Sequence, residues 1–153
     1  MHLRHVLSTK SSPNELYTIA PDRPVRELAM LMGERDIGAV LVVADGNPNA
    51  VLGIVTERDI LRSCCRLHQT MDELRVEDVM RAEVAFGKQE DSVIEAMRTM
   101  YHNSVRYLPI RDGEKVIGMV SIGDVLRALY TEDEIHLRHL GEYLSGTYRS
   151  DVF

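Results

Sequence analysis

The chain of 153 residues contains no apolar run close to the ~20 residues that cross a bilayer, so no membrane-spanning segment is expected. Its first stretch, MHLRHVLSTKSS, lacks the apolar region of a secretory signal, and a cytoplasmic location is the expectation. Positive charge is in short supply: 18 Lys and Arg against 24 Asp and Glu give a formal net charge of −6. That balance argues against nucleic-acid binding, which depends on neutralising phosphates. It leaves room for a small anion in a locally basic pocket. Cysteine is scarce too. Cys64 and Cys65 are adjacent, bridge poorly in that arrangement and make no C-x-x-C pair, so packing is their ordinary role.

Catalytic signatures are also missing. The chain has no G-x-S-x-G elbow, no P-loop and no H-E-x-x-H or Cys/His cluster. His136 and His139 are three apart but fall short of the three or four ligands a zinc site needs. Neither a catalytic residue, a catalytic cofactor nor a metal site is therefore expected, and the chain reads as a non-enzyme. At 44% hydrophobic and 27% charged residues it has the makings of a core, as one compact unit or two small ones.

What the sequence does contain is a repeat. Residues 51–61, VLGIVTERDIL, match 116–126, VIGMVSIGDVL, at an offset of 65, with Gly53 on Gly118, Thr56 on Ser121 and Asp59 on Asp124. Upstream, 24–43 match 92–111 at an offset of 68, the difference being three extra turn residues in the first copy. Each copy reads β-α-β-β-α. A short strand at 17–19 precedes a helix whose apolar face is Val25, Leu28, Ala29 and Met32; Val93, Ala96, Met97 and Met100 repeat that spacing. Strands are expected at 38–43 and 51–56, then at 105–110 and 115–121. The second helices should bury Ile60, Leu61 and Cys64, and Val125, Leu126 and Leu129. Each copy is roughly 60 residues, a size marginal for folding alone, so the two are expected to share a core.

The fold class is thus α/β (α+β), two β-α-β-β-α repeats packed with pseudo-twofold symmetry plus a C-terminal helix. The divisions are 1–66 for the first repeat, 67–74 for a polar, partly helical linker, 75–131 for the second repeat and 132–153 for a helical tail. Leu137, Leu140 and Leu144 give that tail an apolar edge that must dock on the body or on a second subunit.

Two readings fit GIVTERD (53–59) and GMVSIGD (118–124). Ser/Thr-x-x-Asp where a strand runs into a helix is a capping box. The same place offers free N–H groups and a positive dipole end to phosphate, a hydroxyl from Thr56 or Ser121, and a carboxylate able to accept from the paired hydroxyls of a ribose. The readings are compatible, and duplication of the whole motif favours the second.

The doubled h-G-h-h-[ST]-x-x-D pattern behind β-α-β-β-α units, over about residues 6–131, resembles a tandem cystathionine-β-synthase (CBS) domain pair, or Bateman module, of the stand-alone type. The resemblance implies clefts between the copies for an adenosine-containing ligand: AMP, ADP, ATP, NAD or S-adenosylmethionine. It implies a regulatory sensor that acts on an effector protein in trans, commonly as a homodimer. By position, Asp59 and Asp124 become ribose acceptors, and Thr56 and Ser121 hydroxyl or phosphate partners. Thr18, Ile19 and Ala20, with Ile37, Gly38 and Ala39, would line one adenine slot. Val105, Arg106 and Tyr107 occupy the equivalent place in the other, with Arg106 meeting phosphate beside the Asp of its own copy or standing as a solvated edge charge. Arg58 either reaches a phosphate or pairs with a nearby acid. The copies differ at Glu57-Arg58 against Ile122-Gly123 and at Gly38-Ala39 against Arg106-Tyr107, so unequal clefts are expected. The contrasting possibility is a structural or protein-interaction module with degenerate clefts.

Overall fold

The computed structural model describes residues 1–10 and 16–144, apart from the side chains at 137 and 140–144; the apolar edge of Leu137, Leu140 and Leu144 lies outside the described residues. The first repeat contains β1 (Thr18–Ile19), α2 (Val25–Arg35), β2 (Ala39–Val43), β3 (Val51–Thr56) and α3 (Glu57–Leu67), preceded by α1 (Leu3–Ser8). The second contains β4 (Gly87–Lys88), α5 (Val93–Asn103), β5 (Tyr107–Asp112), β6 (Lys115–Ser121) and α6 (Ile122–Leu144), preceded by α4 (Val76–Val79). The strands form two three-stranded sheets, β1-β2-β3 and β4-β5-β6. In each, the short first strand runs parallel to the middle one and the last two are antiparallel.

Duplication extends to fine detail. Val42 pairs with Gly53 and Ile110 with Gly118, and each sheet has its register shift immediately afterwards. α2 and α5 both end on a left-handed residue that is not glycine, Asp36 at φ 52° and Ser104 at φ 53°. The amides of Ile37 and Val105 then return to the carbonyls of Met32 and Met100. This closes both helices identically and aims the next residues at β2 and β5.

Strand alternation builds three cores. Val40, Val42 and Val55 face the first repeat's helices with Val25, Leu28 and Ile60. Leu108, Ile110 and Val120 do the same in the second repeat with Val93, Ala96, Met100 and Val125. Between the repeats lie Ala39, Leu41, Val43, Ile54 and Val116, with Tyr107 and Met119 at their margin. β2 is buried on both faces, which is why AVLVV reads as one unbroken apolar run. The three-residue insertion has a tertiary role, since Asn49 Oδ1 accepts from the Val116 amide of the other repeat at 3.0 Å.

Several features differ from expectation. Leu61 and Leu126, expected inside, are 65% and 54% exposed, because each lies on the helix side turned away from its sheet. The linker after Leu67 is a turn rather than partly helical, held by the Thr70–Glu73 hydrogen bonds and anchored by buried Leu74. One continuous helix spans Ile122–Leu144, so the tail extends the second repeat's last helix. The two short leading helices are exchanged between repeats: Leu3, Val6 and Leu7 pack in the second repeat's core, and Val76 and Val79 in the first's.

Candidate functional site

β3 runs into α3, and β6 into α6, without a loop, so the last strand residue is also the helix cap. At the first junction the Thr56 amide and hydroxyl both donate to Asp59 Oδ2 at 2.9 Å, and the Asp59 amide returns to the Thr56 hydroxyl at 3.3 Å. At the second, the Ser121 amide and hydroxyl donate to Asp124 Oδ2 at 2.8 and 2.9 Å, and the Asp124 amide returns to Ser121 Oγ at 3.1 Å. Both motifs are thus complete capping boxes. Because each hydroxyl proton points at its own carboxylate, what the hydroxyl keeps for a ligand is an acceptor lone pair.

The exchanged helices each deliver a cation. Arg81, just beyond α4, places Nε 3.0 Å from Asp59 Oδ1. Lys10, just beyond α1, places Nζ 3.0 Å from Asp124 Oδ2 and 2.8 Å from the Met119 carbonyl. Burial pushes the Asp124 carboxyl up, but the Ser121 amide and the Lys10 ammonium outweigh it and hold the group below the usual carboxylate range. Neither partner is apparent from the repeat pattern. Their common signal is a short apolar stretch, L-x-x-V-L at 3–7 and V-x-x-V-M at 76–80, which places a basic side chain beside each motif.

Two clefts lie between the repeats, and each is built from both. The larger, about 1080 Å³, is lined by Thr56, Glu57, Arg58, Leu61 and Arg62 of the first repeat, the 81–85 segment, and Asn103 to Tyr107 of the second. The smaller, about 430 Å³, joins Ser121, Asp124 and Met119 to Ile37, Gly38 and Ala39, with Lys10, Leu16, Tyr17, Arg35 and Asp36 around them. Asp124 lines its cleft, whereas Asp59, 7% exposed, stands behind Arg81 and Thr56. Tyr107 borders both cavities. Its hydroxyl sits so close to Gly38 that a Cβ there would be 2.0 Å away, so the missing side chain of one copy accommodates the large one of the other. Burial raises the Tyr107 phenol above its ordinary range, with Glu57 and Asp124 adding to the effect and Arg106 opposing it.

The structure brings Thr56, Arg58, Val105, Arg106 and Tyr107 together, and likewise Ser121, Asp124, Ile37, Gly38 and Ala39. Arg106 therefore shares its cleft with the motif of the other copy rather than its own, although its carbonyl accepts from the Ile122 amide at 2.8 Å. Thr18, Ile19 and Ala20 line neither cleft. Ile19 turns into the first repeat's core, and the cleft is met instead by the preceding Leu16 and Tyr17. Val84 and Ala85 hold the corresponding place in the larger cleft. Among the described residues no His/Cys/Asp/Glu group has the makings of a metal site.

Known proteins place this architecture. The CBS domain family model matches residues 6–65 and 76–131, so the chain belongs to the CBS domain family as a tandem pair, an architecture of regulatory rather than catalytic modules. It is 34% identical over 141 residues to the mitochondrial CBS domain-containing protein CBSX3 of Arabidopsis thaliana, covering 91% of this chain and 68% of that one. A putative signal-transduction protein with CBS domains from Burkholderia ambifaria superposes with a TM-score of 0.79 at 35% identity, covering 84% of this chain and 93% of that one. A CBS domain protein of Pyrobaculum aerophilum, solved in complex with AMP, shares the fold at a TM-score of 0.70 and 20% identity, over 86% of this chain and 99% of that one.

Proposed function

We propose that the chain is a non-catalytic sensor of an adenosine-containing ligand, which it holds between its repeats and reports to an effector protein in trans. AMP, ADP, ATP, NAD and S-adenosylmethionine are the candidates. The observation that carries this reading is that each capping-box motif borders an inter-repeat cleft whose far wall comes from the other repeat, through Ser121 and Asp124 in the smaller cleft and through Thr56, with Asp59 behind it, in the larger. In it, Asp59 and Asp124 accept from ribose hydroxyls, while Thr56 and Ser121 supply the neighbouring acceptor. Arg58 and Arg106 meet phosphate in the larger cleft. Ile37, Gly38 and Ala39 border the base in one cleft, and Val105 and Tyr107 in the other.

The same geometry gives the signal a route. A ribose that engages Asp124 competes with Lys10, and one that engages Asp59 competes with Arg81. Each cation follows a short helix packed on the repeat it does not precede in sequence, so ligand binding loosens or redirects α1 and α4. A homodimer and a cytoplasmic location belong to this reading. Leu126 and Tyr130, one turn apart on α6 and 54% and 66% exposed, offer a surface to a second copy.

The two ion pairs also favour the structural alternative, since both carboxylates already have partners. Thermal unfolding with AMP, ATP, NAD or S-adenosylmethionine separates the readings. A true ligand at 100 times its Kd adds about 2.7 kcal/mol, and Asp59→Asn with Asp124→Asn removes that gain relative to the variant's own ligand-free baseline. No gain with any of these compounds leaves the interaction module standing.

A further inference from the structure

The larger cleft concentrates cations in a protein of net charge −6. Arg58, Arg62, Arg81 and Arg106 all line it, against Glu57 and Glu83. Of the four, Arg81 is engaged with Asp59, while Arg58, Arg62 and Arg106 are exposed. Arg58 and Arg62 stand one turn apart on α3, on the side that faces the cavity. The smaller cleft has Lys10 and Arg35 balanced by Asp36 and Asp124, and Lys10 is already bound to Asp124. Guanidinium groups present forked donors that match phosphate oxygens, and a walled cavity with an excess of positive over negative side chains favours an anion. Apolar walls at Ile54, Val84 and Val105 accompany the arginines. At about 1080 Å³ the space lies at the upper end of what small ligands occupy.

We infer that the larger cleft is the polyphosphate site and takes a nucleoside di- or triphosphate, with Arg58 and Arg62 setting that preference, while the smaller cleft takes a nucleoside or monophosphate. The inference rests on the adenosine-ligand reading above. Specificity is then divided between the clefts by the number of phosphates, not by the base.

Calorimetry on the full chain at low salt without metal, using adenosine, AMP, ADP, ATP and inorganic tripolyphosphate, tests it. The expected result is ATP binding at least about tenfold tighter than AMP at one site, with the difference shrinking as salt rises. Arg58→Ala with Arg62→Ala reduces the preference to within about twofold while leaving adenosine binding unchanged. Arg66→Ala with Arg98→Ala removes the same charge from exposed positions outside the cleft and keeps the preference. Both double variants change exposed helix residues, and melting curves check that they fold. Equal affinity for AMP, ADP and ATP, or a preference that survives Arg58→Ala with Arg62→Ala, overturns the inference while the sensor reading stands. Tripolyphosphate binding that is lost with Arg58→Ala and Arg62→Ala supports the phosphate role of the two arginines. If neither adenosine nor any of its phosphates binds, the inference is overturned, and the sensor reading stands or falls on NAD and S-adenosylmethionine in the thermal unfolding test.

Discussion

The two clefts are made from the same parts in the same register, yet one is large, arginine-lined and set in front of a buried carboxylate, while the other is small, charge-balanced and lined by its carboxylate directly. Backbone features are shared: the register shifts, the left-handed helix ends and the capping boxes all recur. The divergence lies in a few side chains. Tyr107, where the first copy has Ala39, reaches across to the space left by Gly38 and narrows the smaller cleft while walling the larger. Arg58, where the second copy has Gly123, adds charge to only one of them. Duplication thus preserves what positions a helix start and leaves free what that helix start meets.

The largest expected break in the symmetry comes from the paired glycines at the register shifts. A Cβ on Gly53 would lie 2.7 Å from the Arg81 carbonyl and 2.9 Å from Met80 Sδ, whereas the three atoms nearest to one on Gly118 all belong to the Leu7 side chain, the first at 2.9 Å. Backbone cannot yield as a leucine methyl can. Gly53→Ala is therefore expected to cost about 1–3 kcal/mol and Gly118→Ala about 1 or less. Urea unfolding of the two variants measures the difference, and equal costs would mean that α1 and α4 are not held alike.

Next in size are the carboxylates. Asp59→Ala removes a cap acceptor and leaves Arg81 without its partner, for an expected loss of about 1–2 kcal/mol. Asp124→Ala should fall at the lower end of that range, because Asp124 is 12% exposed against 7% for Asp59. A larger loss at Asp124 than at Asp59 would reverse this ranking.

Much of the frame was legible from residues alone. Val25, Leu28 and Met32, and Val93, Ala96 and Met100, repeat a helical face, and all six are buried. The strands announce themselves as apolar runs around turns, and the Thr56–Asp59 and Ser121–Asp124 caps follow from spacing. Leu61 escaped because a helix beside a cavity has two faces that tolerate an apolar residue, and it borders the larger cleft instead of the core. The exchange of α1 and α4 escaped for a different reason. Helices of 6 and 4 residues are too short to show a sustained period, and nothing local states which repeat they pack on. Lys10 and Arg81 inherit that gap, since their partners are fixed only once those helices are placed. Ile19 shows the same limit on a smaller scale, because in a two-residue strand one step of register decides between core and cleft.

The smallest effect distinguishes the clefts by pH. The Lys10–Asp124 pair is partly exposed, with side chains 33% and 12% accessible, so Lys10→Ala should cost only about 0.2–1 kcal/mol at neutral pH. Asp124 has its folded carboxyl held below the usual range, despite burial, by the Ser121 amide and Lys10. A carboxyl depressed on folding stabilises the protein above its unfolded pKa of about 3.9, and that contribution disappears as pH falls through the lower folded value. The gap between the parent protein and Lys10→Ala should therefore be complete at pH 7 and close in acid below about pH 4. Asp124→Asn has no such carboxyl to protonate, so adding Lys10→Ala to it should produce no gap at either pH. Denaturant unfolding at both pH values reads all four proteins. A gap that persists in acid would locate the role of Lys10 in its 2.8 Å bond to the Met119 carbonyl, which does not titrate, and would detach the N-terminal helix from the carboxylate it is proposed to report on.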